Sequence, residues 1–193
     1  NKLYLFKDQE DYIKKVTEDP IINVIGTKGS GKTTSSLEYI EYSDTIVINC
    51  DRLFELPSTE KEDKELTIIR DQLKKKYGKV MEGEEFSSCY LDIVDYILSK
   101  HKKGFIEGNV IQEISPLLLK GTIIVKKTGV FKSYIRAVKR DYHNEYFMNL
   151  EKKEHKYFYK LTRLYKISKR RKSVFLQARE IEKIMETLED IKE

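Results

Sequence analysis

Eight residues near the amino terminus have the types and spacing needed to hold a phosphate chain. Gly26-Thr27-Lys28-Gly29-Ser30-Gly31-Lys32-Thr33 completes the pattern G-x-x-x-x-G-K-[ST], and Thr34 follows it. Glycines let a backbone wrap closely around an oxyanion with successive N–H groups pointing inward. A helix N-terminus adds partial positive charge at the same place. In this pattern Lys32 reaches the β- and γ-phosphates and Thr33 offers a hydroxyl to Mg²⁺, a cation that takes few protein ligands and keeps its waters. Thr34 is a candidate contact for the α-phosphate. The expected ligand is therefore a nucleoside triphosphate, ATP in the first instance, with Mg²⁺.

The flanks of the loop agree with this chemistry. Ile21 to Ile25 is a short β-branched run that reads as a buried strand, and Lys32 to Tyr42 is able to form a helix. Upstream, Leu3 to Phe6 predicts a short edge strand and Asp8 to Glu18 a helix, stopped by Asp19-Pro20. Downstream, Thr45 to Asn49 predicts the second core strand, Gly104 to Glu107 the third and Gly121 to Lys126 the fourth, with Ser173 to Leu176 as a fifth. Helices are expected over Lys61 to Tyr77, Phe86 to Lys100, Phe131 to Arg140, Tyr142 to Ile167 and Gln177 to Ile191. In the second of these, Phe86, Cys89, Tyr90, Ile93, Val94 and Ile97 recur at three-to-four spacing, which excludes a strand there. Residues 110–119, with Pro116, read as a short helix or irregular chain. Strands alternating with helices predict an α/β domain built on a parallel sheet covered on both faces. Ligands then belong at the carboxyl ends of the strands.

A phosphate loop alone does not choose among switches, motors and kinases. The chain has no D-x-x-G or N-K-x-D after the loop, and no L-S-G-G-Q. These absences weigh against a GTPase switch and a transporter-type ATPase. What the chain does have is Glu107-Gly108-Asn109 after the third strand and Arg136-x-x-x-Arg140 on a helix after the fourth. This ordered set, over residues 21–140, resembles the small P-loop kinases of the nucleoside-monophosphate-kinase type. It is most similar to the adenylate-kinase-like DNA topology modulation proteins, which carry Asp-Gly-Asn where this chain has Glu107-Gly108-Asn109. The resemblance implies a three-layer α/β/α P-loop NTPase domain with a five-stranded parallel sheet in the order 2-3-1-4-5, followed by long C-terminal helices. It implies that Arg136 and Arg140 begin a lid and touch phosphates, as phosphoryl transfer requires of positive groups. The opposing reading is a solvated helix face.

Two acids compete for a role. Glu107 stands where the family often has Asp, and would bind Mg²⁺ through water or accept a substrate proton. Asp51, after the second strand, lies where several related small-molecule kinases place a general base; the bland alternative for a lone acid at a strand end is a helix cap or a surface group. Segment 53–84 would be an acceptor-binding insertion, with Arg52 and Arg70 as candidate contacts, and 141–172 a lid or helical extension. The expected function is an ATP-dependent kinase acting on a nucleotide or small hydroxyl-bearing metabolite. The alternative is an ATPase or nucleotide-dependent regulatory module, with or without a link to nucleic acid.

Composition sets the outer bounds. At 193 residues the chain reads as one domain, 1–193, and 36% charged residues predict highly charged surface helices. The net charge of +5 is spread among interleaved acids, so a nucleic-acid partner is not forced. One run is different. Residues 156–172 hold eight Lys or Arg and no acid, interleaved with Tyr157, Phe158, Tyr159 and Tyr165. Basic charge beside aromatics suits single-stranded nucleic acid, but an amphipathic surface helix is the favoured reading, and a phosphate-covering lid the third. Cys50 and Cys89 are far apart, and the three histidines have no metal-ligand spacing. No apolar run approaches the ~18 residues of a membrane span, and no signal-type segment opens the sequence. The compartment expected from these features is the cytoplasm.

Overall fold

The computed structural model describes residues 2–6, 19–27, 44–54, 64–126, 129–143 and 172–188. Five strands pair in parallel: β1 (Lys2–Phe6), β2 (Ile21–Gly26), β3 (Thr45–Asn49), β4 (Lys103–Glu107) and β5 (Thr122–Lys126). Their order across the sheet is β1-β5-β2-β4-β3. The strand that leads into the phosphate loop therefore lies between two strands that come much later in the chain. β2 is buried along its whole length, as is β5. This is why both are mostly β-branched and apolar rather than alternating, with Asn23 in β2 and Thr122 and Lys126 at the ends of β5 as the polar members.

Four helices are described: α1 (Lys64–Tyr77), α2 (Phe86–Lys100), α3 (Val130–His143) and α4 (residues 172–188). Leu66, Ile69 and Leu73 of α1, the six apolar positions of α2 and Ile181, Ile184 and Leu188 of α4 share one core cluster. Their partners in the sheet are Ile21 and Ile25 of β2, Ile46 and Ile48 of β3, Ile106 of β4 and Ile123 and Val125 of β5. Side chains alternate between faces with a period of two, so Ile22, Val24, Val47, Phe105 and Ile124 gather on the other face as a second, smaller cluster. Ile22, Val24, Phe105 and Ile124 are fully buried, so the sheet is covered on both sides. α2 packs close against β4: a Cβ on Gly104 would come within 2.5 Å of the Ile97 side chain.

The amino end of the sheet is held by a buried polar network. Asn23 Nδ2 donates to the carbonyls of Lys120 (2.6 Å) and Thr122 (3.1 Å), fixing β2 against the approach to β5. The Tyr90 hydroxyl donates to Asn23 Oδ1 (2.6 Å) and accepts the Lys120 N–H (2.9 Å). Burial pushes the Tyr90 phenol up to about 12, so it stays a neutral donor. At the same end, His101 bridges Glu65 (2.6 Å) and Asp44 (3.2 Å), tying the end of α2 to the starts of α1 and β3.

The expected fifth strand at Ser173–Leu176 is not a strand. These residues open α4. Val174 is fully buried and continues the helical stripe of Ile181, Ile184 and Leu188. The free edge of β5 is taken by β1 instead. The helix expected to begin at Tyr142 is also changed, because α3 runs on to His143; the rest of that segment, like the helices expected at 8–18 and 32–42, lies outside the described residues. No helix among the described residues is long and apolar enough to cross a membrane.

Candidate active site at the carboxyl edge of the sheet

The carboxyl ends of β2, β4 and β5 bring together the residues around the loop. Of the loop itself, Gly26 closes β2 and Thr27 follows it, both buried. Lys28, Gly29, Ser30, Gly31, Lys32, Thr33 and Thr34 lie outside the described residues. The two visible loop positions are anchored from opposite sides. Gly26 N–H donates to Gln112 Oε1 at 2.9 Å, and Thr27 Oγ1 lies 3.0 Å from Ser133 Oγ at the start of α3. Ser133 is fully buried, so the start of α3 is seated against Thr27.

Two charged residues flank the loop strand on one face. Glu107 is the last residue of β4 and stands in register with Val24; Lys126 is the last residue of β5 and stands in register with Gly26. They are 1% and 8% exposed, which is rare for these residue types. Adjacent strands lie about 4.8 Å apart, so the acid and the base sit about 10 Å apart laterally, one on each side of the loop strand. The Oε2 atom of Glu107 receives no hydrogen bond, although the residue is engaged elsewhere. Lys126 also has an interaction of its own. Lys126 was not among the residues singled out by spacing. Its signal in the sequence is a lysine closing a buried β-branched run.

Asp51 is occupied in a different way. It lies in a 3-10 turn, Cys50–Phe54, directly after β3. Its carboxylate accepts the N–H groups of Asn109 (2.9 Å, to Oδ2) and Val110 (3.3 Å, to Oδ1). These are the opening N–H groups of a second 3-10 turn, Asn109–Gln112. Gly108 makes this possible. Its φ is +124°, and a Cβ there would stand 3.1 Å from Asp51 N and 3.2 Å from the carboxylate. Any other residue would be strained and would push the acid away. Asp51 therefore caps a turn, and each oxygen already accepts a backbone hydrogen.

Cys50, fully buried beside Asp51 and Glu107, has its thiol pushed well up, first by burial and then by those two carboxylates. It is an inert packing residue. Glu113, just past the second turn, is also raised, chiefly by burial and then by the Asp51 charge. Arg70 is buried on α1 beside Leu66, Ile69 and Leu73, Arg52 is half-buried in the first turn, and Arg136 is exposed on α3. Arg140 falls in α3, one turn after Arg136, with its side chain outside the described residues. The basic run 156–171 lies outside them as well. Among the described residues no group of three or more His, Cys, Asp or Glu side chains could hold a metal ion. A hard cation with few protein ligands does not require one. Glu107 supplies carboxylate oxygens beside the loop, which is the donor chemistry Mg²⁺ prefers. No protein-family model matches this chain, and no curated protein is significantly similar to it.

Proposed function

We propose that this chain is an ATP-dependent phosphotransferase that binds Mg·ATP on Gly26–Thr34 and passes the γ-phosphoryl group to a nucleotide or small hydroxyl-bearing acceptor. One observation carries the reading most. The strand that opens into the loop is flanked by one buried acid, Glu107, and one buried base, Lys126, at the carboxyl edge. Both side chains already have interactions within the protein; a triphosphate chain adds negative charge and its Mg²⁺ positive charge at the loop between them, so each meets a group of opposite sign there. When bound, Mg²⁺ neutralises charge on the transferring oxygens. Glu107 serves that side of the loop, and Lys126 stands on the opposite flank, where a phosphate oxygen would meet it. Lys32 reaches along the phosphates, and Arg136 and Arg140 are the cations available to a closing lid. Asp51, held by two backbone N–H groups, is better suited to shaping the acceptor side than to taking a proton.

The test has two arms. Lys32→Ala removes Mg·ATP binding by calorimetry while the circular dichroism spectrum stays that of the wild type; retained affinity refutes the loop assignment. A screen of nucleotides and hydroxyl-bearing metabolites then yields ADP only with an acceptor. Phosphate release without any acceptor, or release stimulated by DNA or RNA, replaces the kinase by an ATPase.

A further inference from the structure

We infer that Gln112 is a positioning residue for the phosphate loop: its side-chain amide extends the edge of β4 beyond the point where β4 ends, and so fixes the first residue of the loop. The inference rests on the reading above that this loop holds nucleotide phosphates.

The backbone ladder shows why such a residue is required. In parallel pairing, alternate residues of a strand direct their N–H and C=O to the same neighbour. Pro20 accepts the N–H of Gly104 at 2.8 Å, so positions 20, 22, 24 and 26 face β4. The register follows this as far as Val24 opposite Glu107, where β4 stops. One step on, Gly26 still directs its N–H toward the β4 side, but Gly108 has turned the chain away with a φ of +124°. A buried amide there without an acceptor would cost about 1–3 kcal/mol. The chain returns through the 3-10 turn Asn109–Gln112, and Gln112 Oε1 supplies the acceptor at 2.9 Å.

Gln112 is itself held from two directions. Asp51 clamps the first N–H groups of the turn, and Val110 and Ile111 are buried in the core. A chain of contacts thus runs from the end of β3, through Asp51 and the turn, to Gly26. The peptide plane of Gly26 sets the direction in which the following loop amides point. Misplacing such groups by about 1 Å can cost as much as 10²-fold in activity.

Two variants test this. Gln112→Leu keeps the size and removes the acceptor. Gln112→Glu keeps an acceptor oxygen and sets a negative charge beside the phosphates. The readouts are Gly26 amide hydrogen exchange in the unliganded protein and Mg·ATP affinity by calorimetry, both at a temperature where each variant is folded. Gln112→Leu is expected to speed Gly26 exchange and weaken Mg·ATP about tenfold, the equivalent of one hydrogen bond. Gln112→Glu is expected to keep Gly26 protected and still lose affinity. A residue that merely supports the fold would lower the melting temperature of Gln112→Leu and leave affinity unchanged. Either variant, folded and binding Mg·ATP like the wild type, overturns the inference. If the wild type binds no Mg·ATP, the loop reading fails first and the inference falls with it.

Discussion

Replacing Asp51 by Asn separates a cap from a base. The carboxylate accepts one backbone N–H at 2.9 Å and a second, weaker one at 3.3 Å. Hydrogen bonds to a charged acceptor contribute about 1.5–3 kcal/mol each, and a buried donor left unmatched adds its own desolvation cost. Asparagine keeps one acceptor oxygen and turns an NH₂ group toward the other N–H, so it weakens one bond and replaces the other by a donor–donor clash. The expected loss is about 2–4 kcal/mol, out of the roughly 5–15 kcal/mol that holds a domain together. With a urea slope of about 1–3 kcal/mol per molar, the midpoint should fall by roughly 1–2 M. The assay is a urea titration by circular dichroism, run beside Mg·ATP affinity and acceptor turnover. A general base gives the opposite pattern: stability unchanged, and transfer reduced by about 10²–10⁴-fold. A midpoint within about 0.3 M of the wild type would refute the capping account.

Tyr90→Phe removes the partner of Asn23 Oδ1 and of the Lys120 N–H in the core; it should cost about 2–4 kcal/mol by urea unfolding and leave Mg·ATP affinity of the folded protein unchanged. For His101, burial works against the charged form, but its bonds to Glu65 and Asp44 prevail and raise the imidazole above its ordinary value. Its stabilising contribution is therefore complete below the unfolded-state value of about 6.5 and is lost as the pH rises through the raised folded value. A melting-temperature profile should fall over that window in the wild type and flatten in His101→Gln. Arg136→Ala and Arg140→Ala should each lower kcat more than they raise KM for ATP; wild-type kcat in both, with the true acceptor, would return these arginines to the solvated face of α3.

Much of the scaffold can be read from local pattern. Helix α2 runs from Phe86 to Lys100, as its spacing predicts, because six apolar positions on one stripe have a single way to face a sheet. The strands at 45–49, 103–107, 21–26 and 122–126 lie side by side, in an order that the family resemblance implies and local pattern does not. The miss at Ser173–Leu176 shows where local reading stops. A β-branched and aromatic tetrapeptide looks like a strand, but a strand needs a vacant edge, and β1 had taken it. The site shows the same limit. Glu107 and Asp51 could be named from their places after strands, yet whether Asp51 meets a substrate or a turn depends on backbone groups 58 and 59 positions away. Gln112 touches Gly26 across 86 positions, and no spacing rule connects them.

The position of β2 in the sheet has a consequence for biosynthesis. Both neighbours of this strand are made long after it: β4 begins roughly 80 residues after β2 ends, which at about 5–20 residues per second is a wait on the order of 4–16 s. Throughout that interval a strand that is apolar but for Asn23 has left the ribosome with both edges unpaired, which is the species that aggregates or recruits a chaperone. Nascent chains released before residue 126 contain the whole phosphate loop and lack the sheet that would hold it in shape.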